Sequence, residues 1–314
     1  MKEKQLIARI RRAAGRGGKS VLGIGDDCAV LRIPTGEEAL ITTDFSLEGV
    51  HFRREWHPAD AIGHRCLARG LSDIAAMGGT PRAAFLSLAL PEELPQKWFD
   101  QFIAGFLKLA RSYSVPLAGG DTAQSPDGIL ADIVVLGSVP TGEAVLRSGA
   151  RPGDRIYVTG TLGAAVADLQ ELREGKKLRP QSHRKHFYPE PRVAVGQFLR
   201  EKKLVSAMID ISDGLSTDLS HICEESGVGA VIHAPWLPAA IRGKDGLRFA
   251  LDGGDEYELL FTAGPERRVP KQIAGVPITQ IGEIVPGERM TLVLPDESTK
   301  PLLARGWEHF KRSG

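Results

Sequence analysis

Cysteine is scarce in this chain and neither sign of charge dominates, and each shortage removes a class of function. The three cysteines, Cys28, Cys66 and Cys223, are odd in number, far apart and without any C-x-x-C spacing. That argues against a disulfide framework and against a thiolate zinc site, so the expected compartment is a reducing cytoplasm. Lys plus Arg number 40 against 39 for Asp plus Glu, a net charge of +1. No global basic field is therefore available to attract nucleic acid or an anionic membrane, and neither is expected as a partner. No apolar run reaches the roughly 18 residues that a membrane span needs. The N-terminus lacks the apolar core of a secretory signal, and low-complexity tracts and solenoid repeats are missing as well.

What remains is an ordinary globular composition on a long chain. With 42% hydrophobic residues in 314, the length exceeds what one core usually serves, and two domains of about 150 residues are expected. The patterning predicts an α/β fold of the α+β kind, with mixed sheets flanked by helices. Residues 3–13 read as a helix, 28–33 and 38–43 as strands, and 58–79 as a helix with Pro58 in its first turn and Gly78-Gly79 at its end. "RAAFLSLAL" is strand-like. Trp98, Phe102, Phe106 and Ala110 recur every four residues and predict the apolar stripe of the next helix. "GILADIVVLGSV" is a further strand, and the Gly/Pro-rich "RSGARPGDR" reads as a connection, dividing the chain into residues 1–148 and 149–314. Beyond it come a strand, a glycine turn and a helix, then a polar stretch, 172–188, read as a surface excursion. Strands are predicted at 228–233, 258–262, 277–285 and 290–294.

One motif is rejected. Ala13, Gly18, Lys19 and Ser20 of "AAGRGGKS" satisfy a relaxed P-loop, but a P-loop needs a strand before it and a helix after it. Here an Arg-rich helix precedes and a strand follows.

The stronger signal is Asp beside Gly, Thr or Ser at the ends of apolar runs. Five stations stand out: "GIGDDCAV" (Asp26, Asp27), "ITTDFSLEGVHF" (Thr42, Thr43, Asp44, His51), "LSDIAAMGG" (Asp73), "LAGGDTAQ" (Asp121) and "MIDISDGLSTD" (Asp210, Ser212, Asp213). A single Asp-Gly is ordinarily a turn or a helix cap. Several carboxylates set into apolar runs must instead share something positive, and oxygen ligands supplemented by hydroxyls suit a hard cation, Mg²⁺ above all. Magnesium at a multi-carboxylate site points in turn to a polyphosphate.

In order and spacing, "GIGDDCAV", "TTDFSLEGVHF", "LSDIAAMGG", "GGDT", "RSGARPGD", "YVTGTLG", "MIDISDGLSTDL", "GGDEYELLFT" and the terminal "GWEHF" resemble the thiamine-monophosphate kinase family of the aminoimidazole-ribonucleotide-synthetase-like superfamily, over nearly the whole chain. The resemblance implies the two-domain fold of that superfamily. Residues 1–148 would bind ATP and Mg²⁺ and form a homodimer, and 149–314 would contribute to the substrate site. It implies transfer of the ATP γ-phosphoryl group to the phosphate of thiamine monophosphate, with several Mg²⁺ ions assisting and no catalytic side chain. The implied metal ligands are Asp27, Thr42, Thr43, Asp44, Asp73, Asp121, Asp210 and Asp213; Asp26 carries over less directly. Gly120, Asp121, Arg147 and Ser212 would border the nucleotide. His51, Asp255 and Trp307 would meet thiamine monophosphate, with a structural hydrogen bond as the other role open to His51 and anchoring of the C-terminus as the other open to Trp307. The family reads Gly-Gly-Glu-Asp-Tyr-Glu-Leu where this chain has Asp255 and Glu256 in exchanged order, so contact through Asp255, through Glu256 or through water is expected. Rival expectations are another ATP-dependent activity of the superfamily and a non-catalytic Mg-nucleotide sensor.

Overall fold

The computed structural model describes residues 3–15, 21–24, 28–243 and 245–310. The chain divides into two compact units. One comprises residues 1–74, 79–142 and 187–189, and the other 75–78, 143–186 and 190–314.

The first unit is built on a five-stranded sheet. The Glu37–Leu47 strand lies antiparallel to Leu130–Pro140 along its whole length, and Leu130–Pro140 lies antiparallel to Thr80–Pro91. The short strands Leu117–Gly119 and Thr122–Ser125 both run parallel to Thr80–Pro91. Alternation along Leu130–Pro140 sends Ala131, Ile133 and Val135 into the core, the period-two pattern of a sheet covered on one face. Helices Ala59–Ala76 and Gln96–Ser112 pack against each other through glycines. A Cβ at Gly63 would stand 2.0 Å from the carbonyl oxygen of Phe102, and one at Gly105 1.9 Å from that of Asp60. The apolar stripe on the second of these helices differs by one residue from expectation. Phe99, Phe102, Ile103 and Phe106 are buried, while Trp98 is half-buried and stacks on Phe102 with ring centroids 5.5 Å apart. The strand predicted at 28–33 reduces to Val30–Leu31, paired with Val21–Leu22.

The second unit holds a mixed eight-stranded sheet. In spatial order it runs Thr299–Pro301, Met290–Val293, Gly229–His233, Val276–Val285, Arg155–Thr159, Leu259–Ala263 and Ala207–Asp210, with Gln272–Ile273 added to Val276–Val285. Gly229–His233 and Met290–Val293 are parallel, and the other pairs are antiparallel. Helix Leu215–Ser226 closes the core through Leu215, Leu219 and Ile222, against Ile156, Val158, Ile209 and Leu260. The polar stretch 172–188 is not a surface excursion throughout. Its second half forms the short helix Arg184–Phe187, in which His186 and Phe187 are buried, because a polar run is free to carry two inward residues at its end.

Candidate active site

In the first unit the site grows out of strand alternation. On Glu37–Leu47, Thr42 and Asp44 face the covered side of the sheet, toward helix Ala59–Ala76, whereas Thr43 and Phe45 face out. Gly70 brings that helix close, since a Cβ there would meet Val135 Cγ2 at 2.6 Å and Thr42 Cγ2 at 3.6 Å. One turn on, Asp73 accepts a hydrogen bond from the Thr42 hydroxyl and shares another with Asp44. Burial first, and then the Asp73 carboxylate, push Asp44 up to about 7 against the pull of Arg69. Two carboxyls and a hydroxyl thus converge and retain a proton near neutrality, so a hard divalent cation in the proton's place would satisfy all three oxygens.

Thr43 is not brought to this group, because its hydroxyl donates to Asp132 Oδ1 at 2.8 Å on the opposite face. Asp121 is apart as well. Asp44 pairs with Ile133 and Ile133 with Leu86, and Gly120 lies against Leu86, where a Cβ would stand 1.8 Å from the carbonyl oxygen. At about 4.8 Å per strand, Gly120 lies about 14 Å across the sheet from Asp44, and Asp121, level with Ser87 by the Leu88–Thr122 register, stands in the next row, outside one coordination sphere of Asp44. Gly120 has φ +148°, and the close approach admits no side chain. Asp121 is exposed, its Oδ1 accepts the Thr122 N–H at 2.8 Å, and the buried Thr122 Oγ1 has no partner among the described residues. His51 Nδ1 accepts the Leu47 N–H at 3.0 Å, ending the strand and leaving the neutral ring's proton on Nε2. Asp26, Asp27, Gly18, Lys19 and Ser20 lie outside the described residues.

In the second unit, strand Ala207–Asp210 ends on the buried Asp210 and passes through Ser212 and Asp213 to helix Leu215–Ser226. Backbone hydrogen bonds gather the other stations here. Asp255 N–H donates to Ser212 O at 2.8 Å and Trp307 N–H to Asp213 O at 2.9 Å, while Gly306 N–H meets Thr217 Oγ1 at 3.0 Å. Trp307 is 48% exposed and stands edge-on to His309. Arg147 is not gathered. Its carbonyl accepts from Ser226 Oγ at 3.3 Å, at the far end of a 12-residue helix, about 18 Å from Asp213 by helix rise.

Sequence reasoning missed Asp218 and His221. Asp218 Oδ2 accepts the N–H groups of Asp213 (3.2 Å) and Gly214 (3.0 Å), and burial followed by the charge of Asp213 pushes it up to about 7. One ligand atom each of Asp213, Asp218 and His221 lies within 4.8 Å of the others. The i, i+3 spacing of Asp218 and His221 was the available signal. Glu256 is buried, and its Oε1 accepts the N–H groups of Gly163 (2.8 Å) and Ala165 (3.3 Å) at the start of helix Ala164–Arg173. Of the acidic pair, Asp255 is therefore the one left partly exposed.

Residues 25–139 match the family described as AIR synthase related protein, N-terminal domain, and residues 151–295 match AIR synthase related protein, C-terminal domain. The thiamine-monophosphate kinase of Escherichia coli (strain K12) is 38% identical over 304 residues, covering 92% of each chain. That of Bacillus subtilis (strain 168) is 35% identical over 308 residues, 92% of this chain and 94% of the relative. Among solved structures, thiamine-monophosphate kinase from Stenotrophomonas maltophilia K279a superposes with a TM-score of 0.81 at 37% identity, covering 91% of this chain and 95% of that one. AaThiL complexed with AMPPCP and TMP gives 0.79 at 30% identity, covering 99% of each.

Proposed function

The chain belongs to the thiamine-monophosphate kinase family, and from that premise we propose that it transfers the γ-phosphoryl group of ATP directly to the phosphate of thiamine monophosphate, releasing ADP and thiamine diphosphate. The observation that carries this reading is the convergence of Thr42, Asp44 and Asp73, with Asp44 pushed up to about 7. The acceptor oxygen is already anionic. It needs no general base, and the barrier lies in bringing two polyanions together in line, which fits a site rich in Asp and poor in nucleophiles. Bound Mg²⁺ would supply charge neutralisation across the phosphate oxygens.

On this reading Thr42, Asp44 and Asp73 hold one part of the metal complement, Asp121 another, and Asp210 and Asp213 a third, with Asp27 completing the set, while the Thr43 hydroxyl is engaged by Asp132. Gly120, Asp121, Arg147 and Ser212 border ATP. Trp307, whose exposed ring can stack on the cationic heterocycle, and Asp255 are the acceptor contacts of the second unit, and His51 is that of the first. Residues 1–148 form the nucleotide domain and 149–314 contribute the acceptor side. A homodimer is part of the proposal, because Ile41 and Phe45, 69% and 56% exposed, place large apolar side chains on the outward face of the first sheet, which a second copy would cover. A cytoplasmic location accords with the lack, among the described residues, of any helix long and apolar enough to cross a membrane.

The test is a coupled ADP-release assay with Mg-ATP and thiamine monophosphate, with free thiamine and aminoimidazole precursors as parallel acceptors. ADP formed with the monophosphate alone is the expected result. Turnover with an aminoimidazole precursor would place the chain with another activity of the superfamily, and Mg-ATP binding without turnover on any acceptor would make it a nucleotide sensor.

A further inference from the structure

The stretch that carries Asp255 is strained. Asp255 and Tyr257 both occupy the left-handed region, at φ 59° and 51°. Non-glycine residues persist there only when their surroundings over-determine the backbone. Part of the restraint is local, since Asp255 N–H is bonded to Ser212 O, Tyr257 N–H to Ile211 O, and Tyr257 Oη donates to Asp255 Oδ1 at 2.6 Å. Glu258, the next residue along the chain, is anchored in its turn. Its side chain is 0% exposed and accepts Arg192 Nε and Nη2, both at 2.7 Å, Thr159 Oγ1 at 2.5 Å and Lys185 Nζ. Thr159 Oγ1 in turn accepts the Leu259 N–H at 2.8 Å. Lys185 Nζ also donates to Thr161 O at 2.8 Å, tying the glycine turn to the same carboxylate. Gly160, at φ +60°, makes room, because a Cβ there would lie 2.1 Å from Glu258 Oε1. Burial raises the affinity of Glu258 for a proton, but its bonds to Arg192 and the charge of Lys185 outweigh this and keep it ionised.

We propose that Glu258, gripped by Arg192 and Lys185, is a positioning residue that holds the strained turn aiming Asp255 and so sets affinity for the phosphorylated acceptor without touching it. The proposal deepens the functional reading above and rests on Asp255 meeting the acceptor.

The experiment measures KM for thiamine monophosphate, KM for ATP and kcat in Lys185→Met, Lys185→Arg, Glu258→Gln and Asp255→Ala, together with melting temperature and hydrogen exchange at the Tyr257 and Ile209 amides. Lys185 is 31% exposed, and its loss leaves the two-pronged Arg192 contact in place, so Lys185→Met decides the matter if Glu258→Gln does not fold. Losing one charged hydrogen bond should raise acceptor KM about tenfold, with ATP KM unchanged, exchange faster at Tyr257 and not at Ile209, and most of the effect reversed in Lys185→Arg. Unchanged acceptor KM in the Lys185 and Glu258 variants, with a raised value in Asp255→Ala, would overturn the positioning role and leave the Asp255 contact standing. Unchanged acceptor KM in Asp255→Ala would remove that contact and the proposal with it. A parallel rise in both KM values with a lowered melting temperature would reduce Glu258 to a structural ion pair.

Discussion

Replacing Glu256 with Gln should reverse one component of the pH dependence of stability. Glu256 is 3% exposed. One of its oxygens caps a helix and the other, Oε2, is buried without a partner among the described residues. Burial, only partly offset by Lys185 and the Gly163 N–H, raises its pKa from 4.5 to about 7. The folded state therefore binds a proton more tightly than the unfolded chain. The resulting stability is complete below pH 4.5 and is lost as the pH climbs through 7, opposite to the usual behaviour of a paired carboxylate. Between pH 5 and 8 this amounts to about 2–3 kcal/mol. The amide introduced by Glu256→Gln would keep the cap and carry no charge. Urea denaturation of both proteins at the two pH values is the assay, and the wild type should lose about 2–3 kcal/mol relative to Glu256→Gln as the pH rises. Parallel stability profiles would refute a proton-holding Glu256.

Two other substitutions probe the framework. Asp44→Asn should lower turnover by about 100-fold or more, since a ligand is lost where charge must be neutralised. It should leave the melting temperature of the free protein unchanged or higher, because the neutral amide stands in for the protonated carboxyl and carries no charge to repel Asp73 as the pH rises. Near-normal kcat at saturating Mg²⁺ would count against it. Gly105→Ala should cost about 1–3 kcal/mol through overpacking, with the added methyl directed at Asp60 O, and an unshifted denaturation midpoint would contradict the close helix contact.

Much of the fold is legible in periodicity. The strands at 229–233, 259–263, 276–285 and 290–293 fall within a residue or two of the predicted positions, because short apolar runs bounded by polar and Gly/Pro turn residues leave little choice. The Asp stations were legible because a carboxylate in an apolar run is costly. What they share depends on strand alternation and register, so Thr42 and Asp44 converge with Asp73 while Thr43, adjacent in sequence, turns to Asp132. Glu258 sits inside "YELLF" with the same signature as the Asp stations, yet its partners Lys185 and Arg192 lie 73 and 66 residues away in a stretch whose polarity reads as surface. Asp218 was hidden for a different reason. Its role is to accept the two N–H groups that open its own helix, a back-bonded arrangement that no single residue type announces.

Direct transfer between two phosphates, with carboxylates acting through Mg²⁺ and no covalent enzyme intermediate, is best tested by following label from [γ-³²P]ATP. With thiamine monophosphate present, the label should appear only in the terminal phosphate of thiamine diphosphate. With the acceptor withheld, the protein should remain unlabelled. A burst of labelled protein that chases into product when acceptor is added would contradict direct transfer and turn one of the site carboxylates into a nucleophile.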